Sequence, residues 1–356
     1  MHTEIEQHYR KHIWQRSLFM LTAGLLLIAM VVFSLVSGSA AVDMNDIINL
    51  LMGKGAPFVH QIVVNIRLPR IIAAILAGTA LAVSGTVFQS ILRNPLASPF
   101  TLGISGAAAF GAAFAIIVFG AGSNYAGSND TAFIQNPYLV ASFSFLWSLF
   151  SVAVILLISE TKGATPEVMI LSGIILSSLF SAGISAIQYF SDNIQLASII
   201  FWSFGDLGRA SWNECLMLGV VLLAALIYFI KQSWNYRALQ PGDEYAHSLG
   251  VNPRKTRITG TVAASLVTAV VVSFFGIIAF VGLVVPHIVR QITGNDEQFL
   301  IPASALFGAF FLLFSDTMAR ILIAPVILPV GILTSFMGAP LFLFLLLKKS
   351  SKNFWY

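Results

Sequence analysis

Charge is what this sequence has least of. Only 10% of its 356 residues are Asp, Glu, Lys or Arg, whereas a soluble domain carries about a quarter. So few charges cannot clothe a water-facing surface of that size. A single cysteine, Cys215, rules out an intrachain disulfide and a multi-cysteine metal site, and it reads as a packing residue. His8 and His12 have His-x-x-x-His spacing but belong with His2 to a polar N-terminal tail, no Cys/His cluster suggests a metal centre, and no metal ligand is assigned. The nearest approach to a nucleotide-phosphate loop is Gly250-Val-Asn-Pro-Arg-Lys255-Thr256, which lacks the glycine before the lysine and follows no strand. The chain is therefore expected to be catalytically silent and to bind no cofactor itself.

What is present is apolar. Hydrophobic residues make up 57% of the chain and mean hydropathy is +0.87. They come in blocks of about 20, the length that crosses the hydrocarbon layer as a helix. Ten spans are predicted: 17–37, 68–90, 99–120, 137–159, 167–190, 211–231, 258–276, 277–291, 299–322 and 329–347. The seventh and eighth come from one run, Ile258 to Val289, split at Gly276, Gly282 and Pro286 because it is too long for one comfortable crossing. Ser17 to Val36 is longer than a secretory core and is read as a retained first span. The fold class is all-α, a polytopic membrane bundle in a single domain, 1–356, with a tail at 1–16 and one long polar loop at 232–257.

The net charge of +4 is dispersed between the apolar blocks, which fits orientation in a membrane and gives no nucleic-acid patch. With ten spans, fourteen of the nineteen basic residues fall on the side of both termini, which predicts that both are cytoplasmic. Lys54, Arg67, Arg70, Arg209 and Arg320 fall outside and become candidates for function. Asp192 to Arg209 reads as an amphipathic helix at the outer interface. Asp316 and Arg320 form an i,i+4 pair near the outer end of the ninth span.

Rows of small residues, Ala74/Gly78/Ala82 and Gly103/Ala107/Gly111, predict close helix packing. Gly173, Ser177, Ser181, Ser185 and Gln188 share one face of the fifth span. That stripe suits either the wall of a translocation path or hydrogen bonds between helices. Ionisable residues are nearly absent at mid-depth, which argues against an ion-coupled carrier, the competing reading. The inside loop Gln240 to Arg254 reads as two very short helices with turns at Pro241-Gly242 and Gly250. Tyr245, Ala246 and Leu249 on it suit a docking surface for another protein.

Several stretches in register resemble the FecCD family of permeases. They are Arg67-Leu-Pro-Arg70, Ser84-Gly85, Arg93-Asn-Pro-Leu-Ala97 and Leu102-Gly103, then Gly242-Asp-Glu with Ala246 and Leu249-Gly250. Phe280-Val-Gly-Leu-Val-Val-Pro-His-Ile-Val-Arg290, Ser315-Asp316, Ala319-Arg320, Leu328-Pro-Val-Gly331 and Gly338-Ala-Pro340 complete the set. The resemblance covers about 67–348 and implies an importer for ferric siderophores, haem or cobalamin, in the cell membrane. It would pair two permease copies with two cytoplasmic ATPases, which bind the ATP and Mg, and an extracytoplasmic binding protein. By the same resemblance Gly242, Asp243, Glu244, Ala246, Leu249 and Gly250 couple to the ATPase. Arg67, Arg70 and Arg320 face outward to receive carboxylates of the binding protein. Asn94 and Leu96 form part of an inner gate, and Thr165 and Pro166 a second one, where Thr165-Pro166-Glu167 departs from the hydroxyl pattern of the family. The stripe from Gly173 to Gln188 would line the path at the dimer axis. Ferric siderophore is preferred over haem or cobalamin on family frequency alone.

Overall fold

A computed structural model describes residues 2–38, 42–121, 134 and 136–348, and every regular element among them is helical. Ten apolar helices lie at the ten predicted positions. They are α1 (His2–Val36), α4 (Leu68–Ile91), α5 (Ile104–Val118), α6 (Pro137–Lys162), α7 (Pro166–Tyr189), α9 (Trp212–Leu239), α11 (Pro253–Phe275), α12 (Val281–Thr293), α13 (Glu297–Ile321) and α14 (Val330–Lys348). Seven are long and apolar enough to cross a membrane, and α5, α12 and α14 provide shorter apolar stretches. Between them lie α2 (Met44–Leu51), α3 (Pro57–His60), α8 (Asn193–Ser203) and α10 (Asp243–Ser248).

The second span begins eleven residues earlier than expected. A helix runs unbroken from Pro57 to Ile91, passing through a π-helical stretch at Gln61–Arg67. Pro69 reads as a helix start because it lacks an N–H. Here the wider turns absorb it: the Leu68 amide bonds Val63, and the Val64 carbonyl, whose i+5 partner would be Pro69, accepts the Trp212 indole N–H at 3.1 Å. Pro69 in turn returns its own carbonyl to the Cys215 thiol, and Cys215 is buried as packing predicts.

Three other features differ from expectation. The third helix starts at Ile104, because residues 92–103 form a turn whose Ala97, Ser98, Pro99 and Leu102 are buried. Only one short helix, α10, precedes α11. The second expected one merges into α11, which Asn252 caps by accepting from the Lys255 amide. Finally, α8 is no surface float: its Ile199 and Trp202 pack with the alanines of α5. Side chains of the first twelve residues, with His2, His8 and His12, lie outside those described.

Helix α4 occupies the centre, against α9, α11, α12 and α13. Its small residues permit backbone contact where lipid supplies no hydrophobic drive. A Cβ built at Gly78 would overlap the Gly308 carbonyl, and one at Gly85 the carbonyl of Gly282. The row at Gly103 and Gly111 does the same work against Gly173 and Phe143.

Candidate functional site

Charges collect at the two ends of the bundle and leave its middle apolar. At the end carrying α2 and α8, Asp316 is fully buried on α13. Arg70 donates its Nε to both Asp316 oxygens at 3.0 Å and Nη2 to Oδ1 at 2.8 Å. Arg320 pairs with the same carboxylate, Nε to Oδ2, at 3.2 Å. Asp206 stands 3.7 Å from Arg70 and is itself fixed by the Gly208 amide. Nearby, the desolvated Arg209 guanidinium sits below the usual arginine range and donates to the Phe201 carbonyl.

The expected outward exposure of Arg67, Arg70 and Arg320 is not met, since they are only 4%, 8% and 6% exposed. The reason is local. Helix α1 ends at Val36 with carbonyls that have no partner inside the helix. Arg67 donates Nη1 to Leu35 and Val36 carbonyls, at 2.5 and 3.1 Å, and Arg320 donates to the Ser37 carbonyl at 3.0 Å and to Ser34 Oγ at 2.5 Å. Two cations thus satisfy the negative end of α1, and the third completes the carboxylate.

The opposite end holds the loop residues. Gly242 takes a φ of +136°, a conformation that favours glycine, and caps α10. On α10 and its C-terminal turn, Glu244, Tyr245, Leu249 and Gly250 are exposed. Ala246 is completely buried, so it anchors the helix and cannot belong to a docking face. Asp243 accepts from both terminal nitrogens of Arg257 and lies 4.0 Å from Arg93. That hydrogen bonding holds its carboxyl below the usual carboxylate range, against a smaller opposing effect of burial.

Both expected gate turns lie at this same end. Asn94 closes its turn by accepting the Leu96 amide on Oδ1 at 2.9 Å, which leaves Leu96 38% exposed. Thr165 caps α7 from an exposed position, and Pro166 is buried in its first turn. Arg257, which the sequence presents as one more basic residue at a span edge, donates to the carbonyls of Ile91 and Ala164 beside these turns.

The stripe on α7 divides in two. Gly173 packs against Thr101 and Leu102, with Ser177 beside Gly103. Ser181 and Ser185 are exposed, and Gln188 is half-buried. Ser177 and Ser185 donate to carbonyls four residues back in α7 itself, so these two hydroxyls bond their own helix. Among the described residues, no group of three His, Cys, Asp or Glu is placed to hold a metal. His287 is buried and meets Phe342 edge-on.

This arrangement, an apolar multi-helix bundle whose charges among the described residues gather at its ends, is that of a multi-pass membrane protein. The FecCD transport family model matches residues 26–348, further toward the N-terminus than the motifs reach. A Methanocaldococcus jannaschii protein described as an ABC transporter permease is 52% identical over 345 residues, 97% of this chain and 98% of that protein. The hemin transport system permease HmuU of Yersinia pestis is 36% identical over 338 residues, 94% and 97% of the two chains. A solved inward-facing structure, assigned to a metal-chelate type ABC transporter, superposes with a TM-score of 0.80 at 33% identity, covering 92% of this chain and 98% of that one. The chain belongs to the FecCD transport family.

Proposed function

We propose that this permease imports a bulky metal chelate, a ferric siderophore first among ferric siderophore, haem and cobalamin, by alternating access driven by separate ATPases. The observation that carries the reading is α10. It is a six-residue helix seated against α9 and α11 with Ala246 buried, while Tyr245 and Leu249 stay about half exposed. A connector gains nothing from such exposure, whereas a cytoplasmic ATPase subunit would bury it. The family relatives and the apolar middle of the bundle support the same reading. Two copies would face each other across α7, where Ser181 and Ser185 are exposed and the path would run.

ATP and Mg would then belong to the partner ATPases, and both termini would be cytoplasmic. The outer end carries Arg67, Arg70, Arg209 and Arg320 beside Asp43, Asp46, Asp192, Asp206, Glu214 and Asp316. An extracytoplasmic binding protein would deliver the chelate at that face. The test is reconstitution of the permease with its ATPase and binding protein in liposomes. Uptake of ferric siderophore should need all three proteins and ATP. Uptake by the permease alone under an ion gradient would overturn the proposal.

A further inference from the structure

We propose that Arg257 is the positioning residue that makes the α10 segment and both inner turns move as one unit. The inference rests on the reading of α10 as the ATPase contact. Arg257 is only 1% exposed and lies in the second turn of α11. Its Nε donates to the Ile91 carbonyl at 3.0 Å, at the end of α4 where the Asn94–Leu96 turn begins. Nη1 donates to the Ala164 carbonyl at 3.3 Å, one residue before Thr165 and Pro166. Nη1 also reaches Asp243 Oδ2 at 2.7 Å and Nη2 reaches Oδ1, at the first residue of α10. One planar fork thus joins three segments far apart in sequence.

Only arginine offers this many donors in a fixed plane; lysine presents a single compact ammonium. A buried cation that loses its acceptors has no water to replace them, so displacement of α10 is passed on rather than absorbed. Two further contacts stiffen the joint. Arg93, with a left-handed φ of +47°, brings its guanidinium to 4.0 Å from Asp243. Gly260, one turn along α11, leaves just enough room for Ile91 and the Tyr236 ring. Arg254 provides the contrast on the same helix. It pairs with Glu160 at 2.5 Å, but both side chains are more than half exposed, and such a pair is easily exchanged for water.

The test uses the complete transporter in nanodiscs, with spin labels at Leu96→Cys or Thr165→Cys on both permease copies. Arg257→Lys should still co-purify with the ATPase, yet uptake per ATP hydrolysed should fall about ten-fold, the size of a typical coupling between sites. The nucleotide-dependent distance change should shrink at both labels. Asp243→Asn, at a half-exposed position, gives a second route to the same ratio should the arginine variant fold poorly. Arg254→Gln should leave ratio and distances as in the parent. Unchanged uptake per ATP in both Arg257→Lys and Asp243→Asn would overturn the proposal, as would loss of movement at one label only. A parent permease that retains no ATPase would instead overturn the reading of α10.

Discussion

Helices α4 and α7 are both rich in small and hydroxyl residues, yet they do opposite things. The apolar window of the helix through α4 is 83% buried inside the chain, and that of α7 only 22%. On α4 the small side chains are where backbones meet; on α7 much of the stripe faces away from the chain. A spacing of four therefore says that a helix has a special face. It does not say whether that face is for packing or for passage. What separates the two is whether the partner also lacks a side chain, as Gly282 and Gly308 do.

The contrast can be broken or sharpened by substitution, beginning at the charged end of α4. Asp316→Ala strands Arg70 and Arg320, which are both buried on it, and should cost about 3–5 kcal/mol; a large fall in the melting temperature in detergent would show it. Gly85→Ala places a methyl group against the Gly282 carbonyl and should cost about 1–3 kcal/mol by overpacking, read in the same assay. Leu249→Arg, 44% exposed in the parent, should leave stability alone but reduce co-purified ATPase about ten-fold or more, as loss of an interface anchor does. Ser181→Ala and Ser185→Ala should change stability by less than about 0.5 kcal/mol. If those serines destabilised like Gly85, the distinction between the two helices would fail.

The smallest effect concerns pH. Asp243 titrates below its ordinary value because Arg257 bonds its charged form. A carboxyl depressed in the folded state adds stability that is complete above its unfolded value and is lost as pH falls through the lower folded one. Mobility of a spin label at Leu249 should therefore stay constant from neutral pH into the ordinary carboxylate range, and rise only beneath it.

Much of this was legible from residues alone, for a physical reason. Hydrophobic length is set by lipid, so all ten apolar helices could be placed. Turn chemistry at Gly242 is local, and the turn occurs where expected. What escaped depends on partners distant in sequence. The second span was placed at 68–90 because nothing local announces that Trp212 will take up the Val64 carbonyl. Arg67, Arg70 and Arg320 looked exposed because the carbonyls at the end of α1 and the Asp316 carboxylate reach them only after folding. Arg257 looked like an orientation charge, since its acceptors lie at Ile91, Ala164 and Asp243. Ala246 was misjudged for the converse reason: helical position alone cannot tell the inner side of a short helix from the outer.

The clamp on α1 carries a consequence for the assembly of the whole bundle. Only 17% of its apolar window is buried, so most of its surface faces outward while one face packs on α13. Its apolar stretch is also pinned near both ends: Arg16 holds the Thr293 carbonyl at 2.7 Å and Asp296 at 3.4 Å, while Arg67 and Arg320 hold the other end. Made long before α13, α1 would thus be secured late, waiting for Asp296 and Arg320 to reach the two ends of its apolar stretch.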